Sequence, residues 1–184
     1  YLCGSIPFGV LLAKTQNIDI REHGSGNIGA TNVARTMGKK AGLMTLAGDI
    51  LKGLLVVFAA NQWFENTMIT ALAGLSVFLG HLYSIFLKFK GGKGVATGLG
   101  LLSFTMPLST LCSAGVFTVC LKISGYVSLS SILAAITLPL FGIFFKMPFS
   151  YIYLSTIVAL FTLQRHHDNI VRLGQGTEAN FFKK

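Results

Sequence analysis

Long apolar runs separated by short polar stretches dominate this 184-residue chain, at residues 1–13, 41–60, 68–87, 95–121, 126–145 and 148–163. Several approach the ~20 residues that a helix needs to cross a bilayer. Helix is the default there, because lipid offers no partner to an unpaired backbone group. Small residues recur within the runs, among them Ala71, Ala73, Gly74 and Gly80, and they let helices approach closely in lipid. The pattern predicts an all-α fold, a polytopic transmembrane helical bundle, as one domain over residues 1–184. The first run is too short for a full span and opens on Tyr1. The N-terminal part of the first helix is therefore expected to be missing, and the run is not read as a signal peptide.

Composition strengthens this picture. Hydrophobic residues make up 52% and charged residues 11%, against about 25% charged in an average soluble protein. The formal net charge is +9, from 15 basic and 6 acidic residues. In so apolar a chain this excess points to anionic lipid headgroups, cytoplasmic-side anchoring or an anionic substrate, not to nucleic acid. Cys3, Cys112 and Cys120 lie in apolar stretches with no metal-binding spacing, and read as small apolar fillers.

Basic residues set the expected topology. One cluster is Lys14, Arg21, Arg35, Lys39 and Lys40; another is Lys88, Lys90 and Lys93; the third is Arg165, Arg172, Lys183 and Lys184. Loop 61–67 has none. If the three clusters share the cytoplasmic side, an even number of crossings separates Lys93 from Arg165. The run 95–121 must then count as two passes broken near Pro107, where proline removes a helix donor. This gives seven membrane helices, with the N-terminus outside and the C-terminus cytoplasmic.

Three polar, glycine-rich segments interrupt the apolar pattern. The first runs from Gly24 to Arg35 and reads GSGNIGATNVAR. Its glycines permit positive φ and an anion nest of backbone amides. Ser25, Asn27, Thr31 and Asn32 add neutral groups, and Arg35 adds a planar fork suited to phosphate. The plain alternative is a polar turn leading into a capped amphipathic helix. The second, KFKGGKGVATG at 88–98, sets glycines and Lys93 at the start of an apolar helix, a phosphate-site arrangement. It is not a Walker A motif: Leu87 and Gly94 stand where glycine and Ser/Thr are required. A basic interfacial loop is its plain alternative. The third, RHHDNIVRLGQGTE at 165–178, places His166, Asn169 and Arg172 on one face if helical. Its alternative is a solvated helix end near the headgroups. No segment has zinc-ligand spacing, so no metal and no cofactor are expected.

Two further features lie inside apolar runs. Asp49 and Lys52 sit three apart within 41–60, where charges are costly and usually face each other or a polar interior. They read as a neutralising pair that fixes packing, or as polar support for a site. His81 reads first as a residue satisfying a local hydrogen bond.

Six blocks in order carry a resemblance: SIPFG at 5–9, GSGNIGATNVAR at 24–35, GDILKG at 48–53, GH at 80–81, FKGGKGVAT at 89–97 and RHHDNIVRLGQGTE at 165–178. Together they resemble the PlsY family, bacterial integral-membrane glycerol-3-phosphate acyltransferases that use acyl phosphate as donor. The resemblance implies seven transmembrane helices and a cytoplasm-facing site in the bacterial inner membrane. It implies that the product is 1-acyl-glycerol 3-phosphate. It also implies that long-chain acyl phosphate reaches the membrane lipid environment from a soluble phosphate acyltransferase. The soluble-type glycerol-phosphate acyltransferases use a histidine with an aspartate five positions on. Here those positions hold Ile28, Phe86, Val171 and Arg172.

Acyl phosphate is already activated, so the expected site positions two anions and offsets their charge. Lys93 with the Gly91, Gly92 and Gly94 amides is expected to hold one phosphate. Arg35, with Ser25, Gly26, Asn27, Thr31 and Asn32, is expected to hold the other or bridge both. His166 and Asn169 are the expected catalytic residues, orienting the hydroxyl or the developing oxyanion. The base is His166 or a phosphate oxygen of a substrate. Glu178 reads as a further substrate-binding residue or as an anchor for the tail. A channel for an anionic metabolite would use the same basic, glycine-rich lining without acyl transfer. A CDP-alcohol phosphotransferase would need dense metal-binding aspartates, and only Asp19, Asp49 and Asp168 occur.

Overall fold

The computed structural model describes residues 1–182. Lys183 and Lys184, counted above in the basic tail cluster, lie outside the described residues. The described secondary structure is helical: α1 (Leu2–Ser5), α2 (Phe8–Lys14), α3 (Ala30–Met37), α4 (Lys39–Phe64), α5 (Thr67–Leu82), α6 (Val95–Thr105), α7 (Pro107–Ser124), α8 (Val127–Phe144), α9 (Phe149–Arg165) and α10 (His167–Gly174), with 3-10 turns at Ile20–Glu22 and Ile85–Leu87. Two compact units divide the chain, Tyr1–Phe104 and Thr105–Lys184.

Prolines decide where two apolar runs break. Pro7 follows Ile6, which is extended at φ −61° and ψ 115°, the conformation imposed on a residue before proline. The run 1–13 is therefore two helices, and the Ile6 carbonyl between them is released from helix bonding. The run 95–121 breaks at Met106, with Pro107 opening α7, where a missing N–H costs nothing.

Among the described residues, four helical segments are long and apolar enough to cross a membrane: Lys39–Phe64, Thr67–Leu87, Pro107–Ser124 and Val127–Phe144, with mean hydropathy of 1.8, 1.7, 1.3 and 2.1. The shorter α6 has 11 residues and rises about 16 Å. Side-chain placement is suited to lipid. Leu43, Leu55, Phe58, Leu72, Leu111 and Phe144 are exposed, while Thr45, Asp49, Lys52, Thr70, His81 and Thr97 are buried. Buried hydroxyls donate back to their own helices, as Thr45 does to the Ala41 carbonyl (3.0 Å) and Thr70 to that of Asn66 (3.0 Å).

In the first unit, α4 packs on α1, α2, α3 and α5, and α1 packs on α5. Backbone approaches there leave no room for a side chain. A Cβ at Gly53 of α4 would fall 2.4 Å from the Thr97 carbonyl oxygen, and one at Gly100 of α6 would fall 2.0 Å from that of Ile50. Such close crossings are how helices gain contact in lipid. A small core of Val10, Ala13, Ile20, Ile28, Val33 and Leu87 seats the segment before α3. In the second unit α8 packs between α7 and α9, with α10 on both α8 and α9.

Candidate active site

The first polar segment is organised from within by Asn32. Its side chain is 2% exposed. Oδ1 accepts from the Ser25 amide (2.9 Å), while Nδ2 donates to the carbonyls of Ile20 (3.2 Å), His23 (2.9 Å) and Asn27 (2.9 Å). Asn27 Oδ1 in turn accepts from the Gly29 amide (2.8 Å), just ahead of α3. Gly24 and Gly26 have positive φ of 60° and 69°, and a Cβ at Gly24 would fall 2.2 Å from Asn32 Oδ1. Asn27 and Asn32 thus direct their polar atoms into the loop. Ser25, Thr31 and Arg35 are exposed, with Thr31 and Arg35 four residues apart on one face of α3. The nearby charge of Arg21 is engaged locally. Its Nη2 lies 2.6 Å from Asp19 Oδ2 and its Nε 2.9 Å from Oδ1. Hydrogen bonds from the Arg21 side chain and amide hold the Asp19 carboxyl down at about 2.

The second segment folds back on the end of α5. The Gly91 amide donates to the Leu82 carbonyl and the Gly92 amide to that of His81, each at 3.1 Å. Helix-terminal carbonyls need such donors, which accounts for two amides that the glycine pattern alone directs at an anion. The glycines are needed for fit. A Cβ at Gly91 would lie 2.0 Å from the His81 carbonyl oxygen, and one at Gly94, where φ is 83°, would lie 2.4 Å from the Phe78 ring. Lys93 is half-buried, two residues before the start of α6.

Beneath this loop lies a polar cluster that the sequence showed only as separate fragments. Asp49 and Lys52 have side chains 3% and 4% exposed and pair at 2.6 Å. Lys52 Nζ also donates to the Ile6 carbonyl (2.9 Å), the one released by Pro7, and lies 5.8 Å from the Phe8 ring centroid, within cation–π reach. His81 Nδ1 lies 3.5 Å from Asp49 Oδ1 and 3.1 Å from Thr97 Oγ1. The intramembrane charges signalled that something was there. Thr97 as the partner carried no sequence signal.

In the second unit, His166 joins α9 to α10 and is 3% exposed. Its Nδ1 lies 2.8 Å from the Thr162 carbonyl oxygen. A carbonyl only accepts, so Nδ1 carries the proton, and Nε2 is the basic position of the neutral ring. Asn169 and Arg172 share a face of α10 and converge on Glu178. Oε1 accepts from Asn169 Nδ2 (2.7 Å) and from the Ser128 hydroxyl (2.7 Å), and Oε2 accepts from Arg172 Nε (2.8 Å). Burial pushes the Glu178 carboxyl up, but the hydrogen bonds from Ser128, Asn169 and Arg172 outweigh it and hold the group below the usual carboxylate range. The tail continues along the α7–α8 turn: Asn180 Nδ2 donates to the Ser124 carbonyl (3.3 Å) and the Phe181 amide to that of Gly125 (2.7 Å). Ser128 and Asn180 could not have been singled out from sequence.

Comparison with known proteins agrees across nearly the whole chain. Residues 1–176 match the family model described as glycerol-3-phosphate acyltransferase. A protein of that name from Geotalea daltonii is 49% identical over 100% of this chain and 94% of its own length. One from Trichlorobacter lovleyi is 48% identical over 98% and 93%. Two crystal structures of PlsY (YgiH), an integral membrane glycerol 3-phosphate acyltransferase, each cover 98% of this chain. The glycerol 3-phosphate form has a TM-score of 0.94 at 40% identity and 91% coverage of that chain. The lysophosphatidic acid form has a TM-score of 0.91 at 39% identity and 90% coverage.

Proposed function

The chain belongs to the glycerol-3-phosphate acyltransferase family, and from that premise we propose that it moves a fatty acyl group from acyl phosphate to the 1-hydroxyl of glycerol 3-phosphate. The products are 1-acyl-glycerol 3-phosphate and phosphate. One observation carries this reading: the chain matches, over 98% of its length, a protein crystallised in a glycerol 3-phosphate form and a lysophosphatidic acid form. Those two ligands differ by one acyl group. The missing histidine–aspartate pair supports acyl phosphate as the donor.

The hydroxyl oxygen attacks the acyl carbonyl carbon, and the bond from that carbon to the phosphate oxygen breaks. The hydroxyl proton leaves to His166 Nε2 or to a phosphate oxygen of a substrate. Arg35 and Lys93 hold phosphate oxygens, and Ser25, Gly26 and Thr31 line the Arg35 side. Asn27 and Asn32 act by shaping that loop, as their bonds to its backbone support. Gly91, Gly92 and Gly94 act by letting the Lys93 loop lie flat on α5. Asn169 orients the reacting hydroxyl, and its bond to Glu178 sets its direction. Glu178 serves as the tail's anchor. Seven membrane helices, with the N-terminus outside and the C-terminus cytoplasmic, place the basic loops on the side of a bacterial inner membrane where a soluble enzyme delivers the donor.

The decisive experiment gives the purified protein, in lipid, glycerol 3-phosphate with acyl phosphate, acyl-CoA or acyl carrier protein in parallel. Acyl phosphate should support turnover and acyl-CoA little or none. Equal or faster turnover with acyl-CoA, with contaminating acyltransferases excluded, defeats the donor assignment.

A further inference from the structure

The Asp49, Lys52, His81 and Thr97 cluster makes no use of its position in the chemistry described so far. Its groups come from three helices of the first unit, Asp49 and Lys52 from α4, His81 from α5 and Thr97 from α6, and it lies directly against the glycine loop. We propose that His81 is a positioning residue for the reaction, its ring fixing the path of the Gly91–Gly94 loop and so the place of the Lys93 ammonium. The inference rests on the reading of Lys93 as a phosphate-holding residue.

His81 holds the loop in two ways. Its carbonyl accepts from the Gly92 amide at 3.1 Å. Its ring lies against the same residue, since a Cβ at Gly92 would fall 2.4 Å from Nε2. Gly92 is therefore the only residue type that fits over this ring edge. At the other side of the ring, Nδ1 lies 3.1 Å from Thr97 Oγ1, in the first turn of α6. Lys93 is thus bracketed, with Gly92 before it and Thr97 after it both in contact with one imidazole.

The imidazole is itself fixed from below. His81 is 5% exposed and Thr97 is fully buried, so neither exchanges its partner for water. Asp49 Oδ1 lies 3.5 Å from Nδ1 and is tied through Lys52 to the Ile6 carbonyl. Asp49 and Lys52 neutralise each other, so the cluster supplies direction without adding net charge near two anionic substrates. A ring free to turn would lose its hold on Thr97 and its packing against Gly92 together, while the Gly92 amide kept its bond to the His81 carbonyl. Misplacement by about 1 Å of a group that holds a substrate costs on the order of a hundredfold in rate.

The test is a set of double-mutant cycles on kcat/KM, with melting temperature measured for every variant. His81→Gln carries its amide toward the Nε2 position and leaves Thr97 and Asp49 without the Nδ1 partner. Thr97→Val removes only the hydroxyl at nearly constant volume, and keeps the test available if His81→Gln does not fold. Each should lower kcat/KM about tenfold or more, chiefly through KM for the same substrate whose KM rises in Lys93→Ala. In a Lys93→Ala background, or Lys93→Arg if the former is too slow, each should cost less than about twofold further. His81→Asn, whose amide reaches the Nδ1 position, should recover most of the activity. Wild-type kcat/KM in His81→Gln and Thr97→Val, or an equal loss in both Lys93 backgrounds, overturns the inference while the phosphate reading stands. Full activity of Lys93→Ala overturns that underlying reading and this inference with it.

Discussion

Removing the ammonium of Lys52 tests whether the buried ion pair of α4 holds the first unit together. In Lys52→Met the chain keeps its length, but Asp49, 3% exposed, loses the ammonium 2.6 Å away. His81, whose Nδ1 lies 3.5 Å from Oδ1, remains beside it. The Ile6 carbonyl also loses its donor. Stranding one member of a buried pair costs about 3–5 kcal/mol. For a chain of this size each kcal/mol shifts the midpoint by about 2–4 °C, so melting should fall by roughly 6–20 °C. Replacing both residues, Asp49→Asn with Lys52→Met, removes the stranded charge. It leaves mainly the unpaired Ile6 carbonyl, at about 1–3 kcal/mol. The double variant should therefore melt above Lys52→Met alone. The measurement is loss of helical circular dichroism on heating in one detergent, with labelling of the half-buried Cys112 and Cys120 as a second probe. A Lys52→Met midpoint within 2 °C of wild type, or a double variant that falls by the sum of the single losses, would refute the argument.

Four other outcomes follow from the same geometry. Arg35→Ala and Lys93→Ala each remove a charge-assisted bond of roughly 1.5–3 kcal/mol, so kcat/KM should fall about ten- to a hundredfold; Lys40→Ala should be nearly silent and chelators should leave the rate unchanged. Cysteines placed at positions 38, 90 and 180 of a cysteine-free variant should all label from the cytoplasmic side only, and a tail labelled from outside would contradict the proposed seven-helix topology. Glu178 is held below the usual carboxylate range, so its anchoring is complete above the unfolded value and is lost as pH falls through the folded one. Exchange at the Thr177–Phe182 amides, corrected for intrinsic rates, should therefore accelerate only once pH has fallen below the usual carboxylate range, and Glu178→Gln should exchange fast throughout. Gly91→Ala drives a Cβ to 2.0 Å from the His81 carbonyl oxygen, which should cost about 1–3 kcal/mol of stability, whereas Gly174→Ala meets nothing within 4 Å and should melt like wild type.

The sequence alone was enough for the helical, lipid-facing class, because a bilayer demands apolar runs of a certain length with internally bonded backbone. It located the break near Pro107, since a missing N–H acts locally. Six blocks in order, the three polar segments among them, also identified the family. What each polar residue does could not be read that way. Asn32 and Arg35 stand three apart in one motif, yet Asn32 is turned into the loop and Arg35 is exposed, because only the first reaches the carbonyls of Ile20, His23 and Asn27. The glycines at 91 and 92 look like an anion nest until the end of α5 comes close enough to take their amides. His81, read as a local hydrogen-bonder, finds its partners 16 and 32 residues away, at Thr97 and Asp49. Periodicity and propensity act over a few residues. Partners brought together by helix crossings are fixed only when the backbones close to within a glycine's width, so tertiary packing decided them.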